Sequence, residues 1–313
     1  MSGVPFATDT TPLSSRAEAG IRISVVTISY NQNQFLEKTI LSVLNQNYPN
    51  LQYIIMDGGS TDGSVEIIRK YERYLAFWRS GPDGGPGAAL NAGLARCTGD
   101  IVGYLNSDDF YLPGTLSKMA TIFKQRPEVD VVYGNGYFAD VHDNLTRPIY
   151  SDPWTLRRFA FGAACVIQPG SFFRLGAFRK TPGFNEASRT SWDAELWIDM
   201  ALAGARFLRS DDFFAAFRLH PHSITVSQRL KSACEMERKG LFKRIMGRPP
   251  SVSDRLVALP LWRVRKQAGQ KWRILCGGPG FRAACRRRSI GDGFLSLQAR
   301  SSTSHETTAD PLE

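Results

Sequence analysis

The sequence predicts an α/β fold in which a mostly parallel sheet is flanked by helices and followed by a basic helical C-terminal tail. The first observation is a run of β-branched residues, Ile21–Tyr30, that is typical of a buried strand. The second is a helical pattern followed by another apolar run, Leu51–Met56. Strand, helix, strand, loop and helix in this order need crossover connections, which place neighbouring strands in parallel.

The helix between these strands is predicted from apolar residues at helical spacing. Its apolar positions are Phe35, Ile40, Leu41 and Leu44. We expect it to end near Asn45, before the breaking sequence Asn47–Asn50. After the loop Asp57–Ser64, Ser64 is the expected N-cap of an amphipathic helix that runs toward Tyr74.

Further elements are predicted beyond Asp109. They are a helix over Leu116–Phe123, a strand over Val129–Tyr133, a hairpin or loop over Asn135–Ile149, strand-like segments Ala163–Gln168 and Gly170–Arg174, and a helix over Trp192–Leu202. The α/β pattern therefore extends to about residue 230, and we expect one domain over residues 21–230.

Composition and cysteine spacing limit the class of protein. The chain has 313 residues and 42% hydrophobic residues, enough for a sizeable core. The five cysteines are scattered without a Cys-x-x-Cys pair, which argues against a disulfide framework or zinc site and suits a reducing compartment. Residues 1–20 lack the pattern of a secretory signal, so we expect a flexible leader and a cytoplasmic protein.

The positive charge is concentrated near the C-terminus. The net charge is +10, and residues 231–313 contain 17 Lys and Arg against 7 Asp and Glu. We expect a basic, helical extension over 231–298 and a disordered tail over 299–313. Tryptophans beside basic residues favour binding of this extension to an anionic membrane surface, the inner face of the cytoplasmic membrane. The alternative is a helical bundle that packs on the main domain, with its basic residues in solvent. The sequence has no recognisable nucleic-acid-binding module.

Polar residues follow three of the predicted strands. Asn31, Asp57 and Asp108 come directly after strand ends, and the carboxyl ends of parallel strands meet at the ligand-binding edge of a sheet. Asp108 and Asp109 are adjacent carboxylates, which repel unless a positive group is near. Oxygen ligands of this kind suit Mg²⁺ or Mn²⁺ with substrate phosphates. A solvated turn is the simpler alternative for this pair.

Two further segments have a structural and a functional interpretation. The glycine-rich loop Gly81–Gly87 precedes a predicted helix, Ala88–Ala95, and suits either an anion site or an ordinary loop, because no Walker motif follows. Asp193 and Glu195 begin the helix near Trp192, where the helix dipole alone stabilises acidic side chains.

Taken together, these motifs resemble the inverting glycosyltransferases of family 2, which have the GT-A fold. The resemblance covers about residues 21–227. The segments that carry it are Val25–Asn31, Ile55–Ser64, Leu105–Asp109, Gly183–Glu186, Asp193–Trp197 and Phe217–Pro221. It implies an enzyme that moves a sugar from a nucleotide-sugar, such as a UDP-linked one, to a glycan or lipid-linked acceptor in cell-surface polysaccharide or glycolipid synthesis.

The resemblance also assigns roles to donor-binding and metal-binding residues. Those expected to contact the donor are Tyr30, Asn31, Asp57, Asp83, Asn91 and Asp108. Asp57 is expected to accept a hydrogen bond from the nucleotide base. Asp108 and Asp109 match the metal element for Mn²⁺ or Mg²⁺, and His220 is a further candidate ligand. His220 is also compatible with a core or loop position, and Arg218 with pairing to phosphate.

The catalytic base implied by the resemblance is Asp193, with Glu195 as the alternative. Asp193 would take the proton of the acceptor hydroxyl as this oxygen attacks the anomeric carbon opposite the leaving diphosphate. Single displacement inverts the configuration. The metal would stabilise the departing diphosphate.

Several departures from the family pattern bear on the site. Gly58 stands where relatives often have a second acid, Asn106 replaces an Asp, and Ala88–Gly93 lacks the family's Asp and Lys beside Asn91. Two alternatives follow from the same kind of sheet: a nucleotidyltransferase that forms nucleotide-sugars, and a non-catalytic nucleotide-sugar-binding protein. The first would need a basic phosphate loop near Ser29–Gln34, and the second is disfavoured by the acids at 108, 109 and 193.

Overall fold

A computed structural model of the protein describes residues 20–221, 223, 230–254, 256, 261 and 264. The predicted leader, apart from Gly20, and the predicted tail over 299–313 lie outside the described residues. Most of the predicted extension beyond residue 254 lies outside them as well. The predicted boundaries of the domains are therefore still expectations.

Four parallel strands form the first half of the sheet, in the order β3-β2-β1-β4. They are β1 (Ile23–Ser29), β2 (Leu51–Asp57), β3 (Phe77–Ser80) and β4 (Ile101–Asn106). The helices that connect them are α1 (Asn33–Leu44), α2 (Ser64–Tyr71) and α3 (Pro86–Leu94). This half confirms the predicted alternation of strands and helices.

The second half of the sheet contains antiparallel pairs. Its strands are β5 (Phe110–Tyr111), β6 (Val131–Ala139), β7 (Leu145–Ile149), β8 (Ser171–Arg174) and β9 (Phe207–Arg218). The order continues β4-β8-β6-β9-β5 with β7 beside β6, and only β6 and β9 among these pair in parallel. Gly103 permits the β4–β8 contact, because a Cβ there would lie 2.4 Å from the Phe172 ring. The predicted α/β class is confirmed, and the antiparallel pairs refine it.

Helices cover the sheet and extend the chain past it. They are α4 (Thr115–Gln125), α5 (Leu156–Ala160), α6 (Leu175–Phe178), α7 (Trp192–Leu202) and α8 (Lys231–Met246), with 3₁₀ turns at Glu72–Tyr74 and Gln168–Gly170. The predicted helices near Leu116 and over Trp192–Leu202 are confirmed. Within the described part of the chain, no helix combines the length and apolar character that crossing a bilayer requires.

Both faces of the sheet are buried at β1. On β1, Val26 belongs to a cluster with Leu90 and Trp197, whereas Val25 belongs to a second cluster with Leu36 on the opposite face. Every residue of β1 is buried, which explains its continuous apolar pattern. Each fully buried aliphatic side chain stabilises the fold by about 1.5–3 kcal/mol.

Two local predictions were wrong. Ser64 is the first helical residue of α2, not its N-cap, because Gly63 precedes it and the Asp62 carboxylate accepts hydrogen bonds from the Ser64 N–H and hydroxyl. Ala163–Gln168 is not a strand; its backbone makes irregular contacts with Ser151 and Asp152 before the Pro169 turn.

The sequence analysis also missed strands β3 and β9. Polar residues Ser210–Asp212 interrupt the apolar pattern of β9. At the same place the register between β6 and β9 shifts, which lets the strand continue through the interruption.

Candidate active site

The carboxyl ends of β1, β2, β3 and β4 lie side by side. Ser29 pairs with Asp57, Asp57 pairs with Ser80, and Ile28 is opposite Asn106. The expectation that Asn31, Asp57 and Asp108 follow one edge of the sheet therefore matches the structure.

Asp57 organises the loop after β2. Its buried carboxylate accepts hydrogen bonds through Oδ2 from the Gly59 N–H (3.1 Å), the Ser60 N–H (2.9 Å) and the Ser80 hydroxyl (2.6 Å). Oδ1 accepts from the Ser60 hydroxyl at 2.5 Å. These bonds fix the loop that faces the edge, and any bond to a base would be additional to them.

Asn31 links the first two loops of this edge. It has a positive φ of 51°, a conformation that Asn tolerates better than most residues. Its N–H donates to the Ser60 hydroxyl at 2.8 Å, and its Oδ1 accepts from the Thr61 N–H at 2.9 Å. The turn after β1 is thus held against the loop after β2.

Tyr30 and Asp83 approach one another across Gly58. A Cβ built on Gly58 would lie 3.1 Å from Asp83 Oδ2 and 3.3 Å from the Tyr30 ring. The Tyr30 side chain is 63% exposed, and Asp83 Oδ1 accepts from the Gly85 N–H at 2.8 Å. The missing side chain at position 58 leaves room for Asp83, so the site has an acid there from another loop.

Asn91 is occupied by contacts within the protein. Its Nδ2 donates to the Phe184 carbonyl (2.9 Å) and to Glu186 (3.0 Å), and its Oδ1 accepts from the Phe184 N–H (2.8 Å). The amide therefore ties α3 to the segment Gly183–Glu186. Its predicted contact with the donor stays a prediction.

Asp108 and His220 form a contact between the end of β4 and the chain after β9. Asp108 Oδ2 lies 3.0 Å from His220 Nε2. The side chains are 19% and 3% exposed, so the pair is shielded but reachable from one side. The His220 ring also packs against Phe35, with 4.9 Å between ring centroids.

Asp109 has a different environment from its neighbour. It is buried, and its Oδ1 accepts from the Arg218 N–H at 3.0 Å. Within the described residues its Oδ2 has no hydrogen-bond partner. Burial raises the pKa of Asp109 well above its ordinary value, and the charge of Asp108 raises it further against the opposing effect of Arg218.

The side chain of Arg218 supports the Asp108–Asp109 turn from inside the protein. It is fully buried, and its guanidinium donates to the Asp108 carbonyl (2.8 Å) and the Asp140 carbonyl (2.7 Å). Asp143 Oδ1 lies 2.6 Å from Nη2. The suggestion that Arg218 pairs with phosphate is wrong here, because the guanidinium has no exposed surface.

The predicted metal ligands are only partly brought together. In the described ranges, no three or more His, Cys, Asp or Glu side chains form a group able to hold a metal ion. Asp108 and His220 are in contact, whereas Asp109 is directed at the backbone of Arg218. A metal at this corner would therefore need donor oxygens in addition to protein ligands.

Asp193 lies in the first turn of α7, within electrostatic range of Tyr104 on β4. Its Oδ1 accepts from the Ala194 N–H at 2.7 Å, and burial raises the pKa of its carboxyl. Burial also raises the pKa of Tyr104 on β4, and the charge of Asp193 raises it further. Glu195, the alternative base, instead accepts from Asn185 Nδ2 at 2.8 Å.

Helix α8 contributes to this part of the site. Glu237 accepts hydrogen bonds from the Arg189 N–H (2.7 Å) and the Thr190 hydroxyl (2.5 Å), just before α7. Phe242 packs edge-on against Phe161, with 5.5 Å between centroids. This packing fits the helical-bundle alternative for the start of the extension. The sequence analysis missed Glu237. The available signal was the apolar pair Leu241 and Phe242 within a basic segment, and the structure shows that both are buried.

The fold is similar to that of solved glycosyltransferases, and a family model matches the chain. Residues 24–180 match the family model described as Glycosyl transferase family 2, and the chain belongs to this family. It is therefore a glycosyltransferase, as predicted from its motifs.

Relatives and solved structures agree with this assignment. An uncharacterised glycosyltransferase of Mycobacterium tuberculosis is 33% identical over 183 residues, 58% of this chain and 69% of the relative. Chondroitin synthase of Escherichia coli is 27% identical over 186 residues, which are 58% of this chain and 27% of that enzyme.

Two solved structures share the fold at low sequence identity. S. aureus TarS 1–349 in complex with UDP-GlcNAc has a TM-score of 0.54 and 17% identity, with 72% of each chain covered. The match covers 43% of the longer TarS chain. Mannosyltransferase PcManGT from Pyrobaculum calidifontis, in complex with GDP-Man and Mn²⁺, has a TM-score of 0.53 and 19% identity, covering 85% and 78% of the two chains.

Proposed function

We propose that the enzyme transfers a sugar from a nucleotide-sugar to a hydroxyl acceptor in a metal-dependent, inverting reaction. The observation that carries the proposal is the Asp108–His220 contact at the carboxyl edge of the sheet, with Asp193 beside the same strand. Metal-binding groups and a base on opposite sides of the reacting carbon are what single displacement requires. A role in cell-surface polysaccharide or glycolipid synthesis is the proposed setting.

The donor would lie across the loops after β1, β2 and β3. The exposed ring of Tyr30 offers a stacking surface for a base, and Asp57 and Asp83 offer carboxylates for base N–H groups. TarS and PcManGT are solved with UDP-GlcNAc and GDP-Man, which supports a nucleotide-sugar donor. A uracil imide N–H suits a carboxylate acceptor, so a UDP-sugar is the first donor to test. We assign Asn91 a positioning role.

Asp108 and His220 would hold Mn²⁺ or Mg²⁺ together with diphosphate oxygens. Their 3.0 Å contact and one-sided exposure fit a ligand pair that the substrate completes. When bound, the ion would neutralise charge on the leaving diphosphate. Because imidazole is a softer ligand than the oxygen atoms Mg²⁺ prefers, we expect Mn²⁺ to support activity better.

Asp193 would accept the proton of the attacking hydroxyl. Its carboxyl is shielded from water, which raises its pKa and makes the carboxylate a stronger base than an exposed one. Tyr104 on β4 is close enough for the charge of Asp193 to raise its pKa. The Arg218 side chain holds the Asp108 backbone in place but touches no substrate.

Incubation with nucleotide-sugars tests the proposal. The full chain is mixed with UDP- and GDP-sugars in the presence of Mn²⁺, Mg²⁺ or EDTA, and nucleoside diphosphate is measured. We expect metal-dependent release of nucleoside diphosphate and, by NMR of the product, an inverted anomeric configuration. Full release in EDTA or a retained configuration would contradict the proposal.

A further inference from the structure

A cavity of about 350 Å³ lies beside Asp193 and between three parts of the chain. Its walls come from the end of α5 and the residues after it, the start of α7, and α8. This volume is at the low end of the range for small-molecule sites, roughly 300–1,000 Å³, and suits a group about the size of one sugar. A ligand in this cavity would lie beside Asp193.

The walls of this cavity combine apolar surface with opposite charges. Phe159 and Phe242 supply aromatic surface, Asp193 supplies a carboxylate, and Arg238 supplies a guanidinium. Gly162 lets the guanidinium approach, since a Cβ there would lie 3.2 Å from Arg238 Nη2.

Arg238 differs from other arginines near it on the chain. Arg244 pairs with Asp199, and Arg248 pairs with Asp254. Across the residues that the structure describes, no carboxylate forms an ion pair with Arg238. A cation at the wall of a cavity without a protein partner is available for a ligand anion.

The position of Arg238 is fixed by its neighbour in sequence. Glu237 accepts hydrogen bonds from the Arg189 N–H (2.7 Å), the Thr190 N–H (3.2 Å) and the Thr190 hydroxyl (2.5 Å). These bonds join α8 to the residues that lead into α7. The segment of α8 that carries Arg238 is thus held beside the residues that lead to Asp193.

We infer that the acceptor carries an oxyanion, a phosphate or a carboxylate, next to the hydroxyl that attacks, and that Arg238 binds this oxyanion. The inference rests on the proposed role of Asp193 as base. An arginine fork matches both oxyanions in two parallel hydrogen bonds. It also offsets the repulsion that Asp193 exerts on an anionic acceptor. The aromatic walls select for an apolar group beside the anion.

The thiol of Cys165 lines the same cavity and reports on its occupancy. The full chain is treated with iodoacetamide in EDTA, and alkylation of the Cys165 peptide is followed by mass spectrometry. Phenyl phosphate, benzoate and neutral benzyl alcohol are the probes. We expect at least one of the two anions to slow alkylation, whereas benzyl alcohol does not. The anion that protects Cys165 at the lower concentration identifies the class of acceptor.

Arg238→Gln is the test variant and Lys239→Gln is the matched control, because the next residue on α8 does not line the cavity. Loss of charge-assisted hydrogen bonds should raise the anion concentration for half-protection about tenfold or more in Arg238→Gln only. Calorimetric titration of phenyl phosphate and benzoate repeats the comparison without depending on the thiol.

The inference is overturned if neither anion protects or binds, if benzyl alcohol protects equally, or if both variants behave alike. Failure of the proposed function has a different signature. In that case wild-type protein releases no nucleoside diphosphate from nucleotide-sugars with Mn²⁺, while Arg238-dependent protection of Cys165 is still observed.

Discussion

Asp108 and Asp109 are adjacent in sequence but lie in different surroundings. Asp108 contacts His220 and has an exposed side, whereas Asp109 is buried against the backbone of Arg218. The two carboxylates repel, and the fold resolves this by raising the pKa of the buried one. We therefore propose a division of labour: metal binding by Asp108, and structural support by Asp109.

Substitution of each acid in turn tests this division. Asp108→Asn removes a charged ligand, so we expect the Mn²⁺ concentration for half-maximal activity to rise at least about tenfold. Asp109→Asn keeps an oxygen to accept from Arg218 and should leave that concentration within about threefold of wild type. Mn²⁺ titrations of activity and of the Mn²⁺ EPR signal measure both. The reverse order of effects would reassign the ligand.

Asp193 carries a cost in stability that its proposed role explains. Its pKa is raised in the folded protein, so the stability contributed by its protonated form is lost as pH rises above its ordinary value of 3.8. Burial therefore makes the charged carboxylate less favourable in the folded protein than in the unfolded chain.

We expect Asp193→Asn to reduce transfer by about 10²–10⁴-fold without lowering the melting temperature at pH 7. Neutral Asn removes the cost of burying a charge, so the melting temperature should be unchanged or higher. Glu195→Gln is the matched control on the same helical turn and should retain most activity. The assignment of the base fails if Asp193→Asn stays active or if Glu195→Gln is the inactive variant.

At the scale of elements, α8 and α7 are coupled through one side chain. Glu237 on α8 holds the backbone of Arg189 and Thr190, which precede the helix that carries Asp193. Although partial burial opposes it, hydrogen bonds from Thr190, Arg189 and Ser191 lower the pKa of Glu237. The start of the basic extension is thus part of the catalytic body.

This coupling predicts a pH-dependent contribution to stability. Because the pKa of Glu237 is lowered, its stabilisation is full above the ordinary value of 4.5 and is lost as pH falls through the folded value. We expect Glu237→Gln to cost about 1 kcal/mol at pH 7 in urea denaturation. The difference from wild type should shrink below pH 4.5. Glu235→Gln, on the exposed side of α8, should show no such difference at either pH.

The elements also show what the sequence could and could not predict. Apolar runs ending in Asn31, Asp57 and Asp108 located the edge of the sheet, because strand ends in a parallel sheet follow from local patterns. The partners of Arg218 and Glu237 lie 110 and 48 residues away in sequence, and local patterns hold no information on them. Strand β9 was missed because its polar interruption is tolerated only through the register shift against β6.

At the scale of the whole molecule, charge is divided between two regions of the chain. Residues 231–313 hold 17 Lys and Arg against 7 Asp and Glu, which accounts for the whole net charge of +10. We propose that this basic region holds the enzyme at an anionic membrane, at the inner face of the cytoplasmic membrane, where a lipid-linked acceptor would be presented.

Vesicle flotation tests the proposed membrane contact. We expect the full chain to float with vesicles that contain phosphatidylglycerol and to be released from them by high salt. It should not float with vesicles of phosphatidylcholine alone. Replacing Arg286–Arg288 by Gln should weaken flotation roughly a hundredfold, at about 1 kcal/mol per charge. Replacing Arg69, Arg73 and Lys124 by Gln is the control with equal charge loss. Equal effects of the two sets would refute a localised contact.

The buried side chain of Arg218 has a consequence for how the site comes into being. It joins the end of β9 to the Asp108–Asp109 turn, across sequence separations of 109 and 110 residues. Such distant contacts form late, because the entropy of closing a long loop opposes them. We therefore expect that, on the ribosome, a chain that has not yet exposed Arg218 can assemble β1 to β4 before the Asp108–Asp109 turn is fixed. The loops after β1, β2 and β3 would then form during synthesis, and the proposed catalytic site would be complete only after Arg218 has been added.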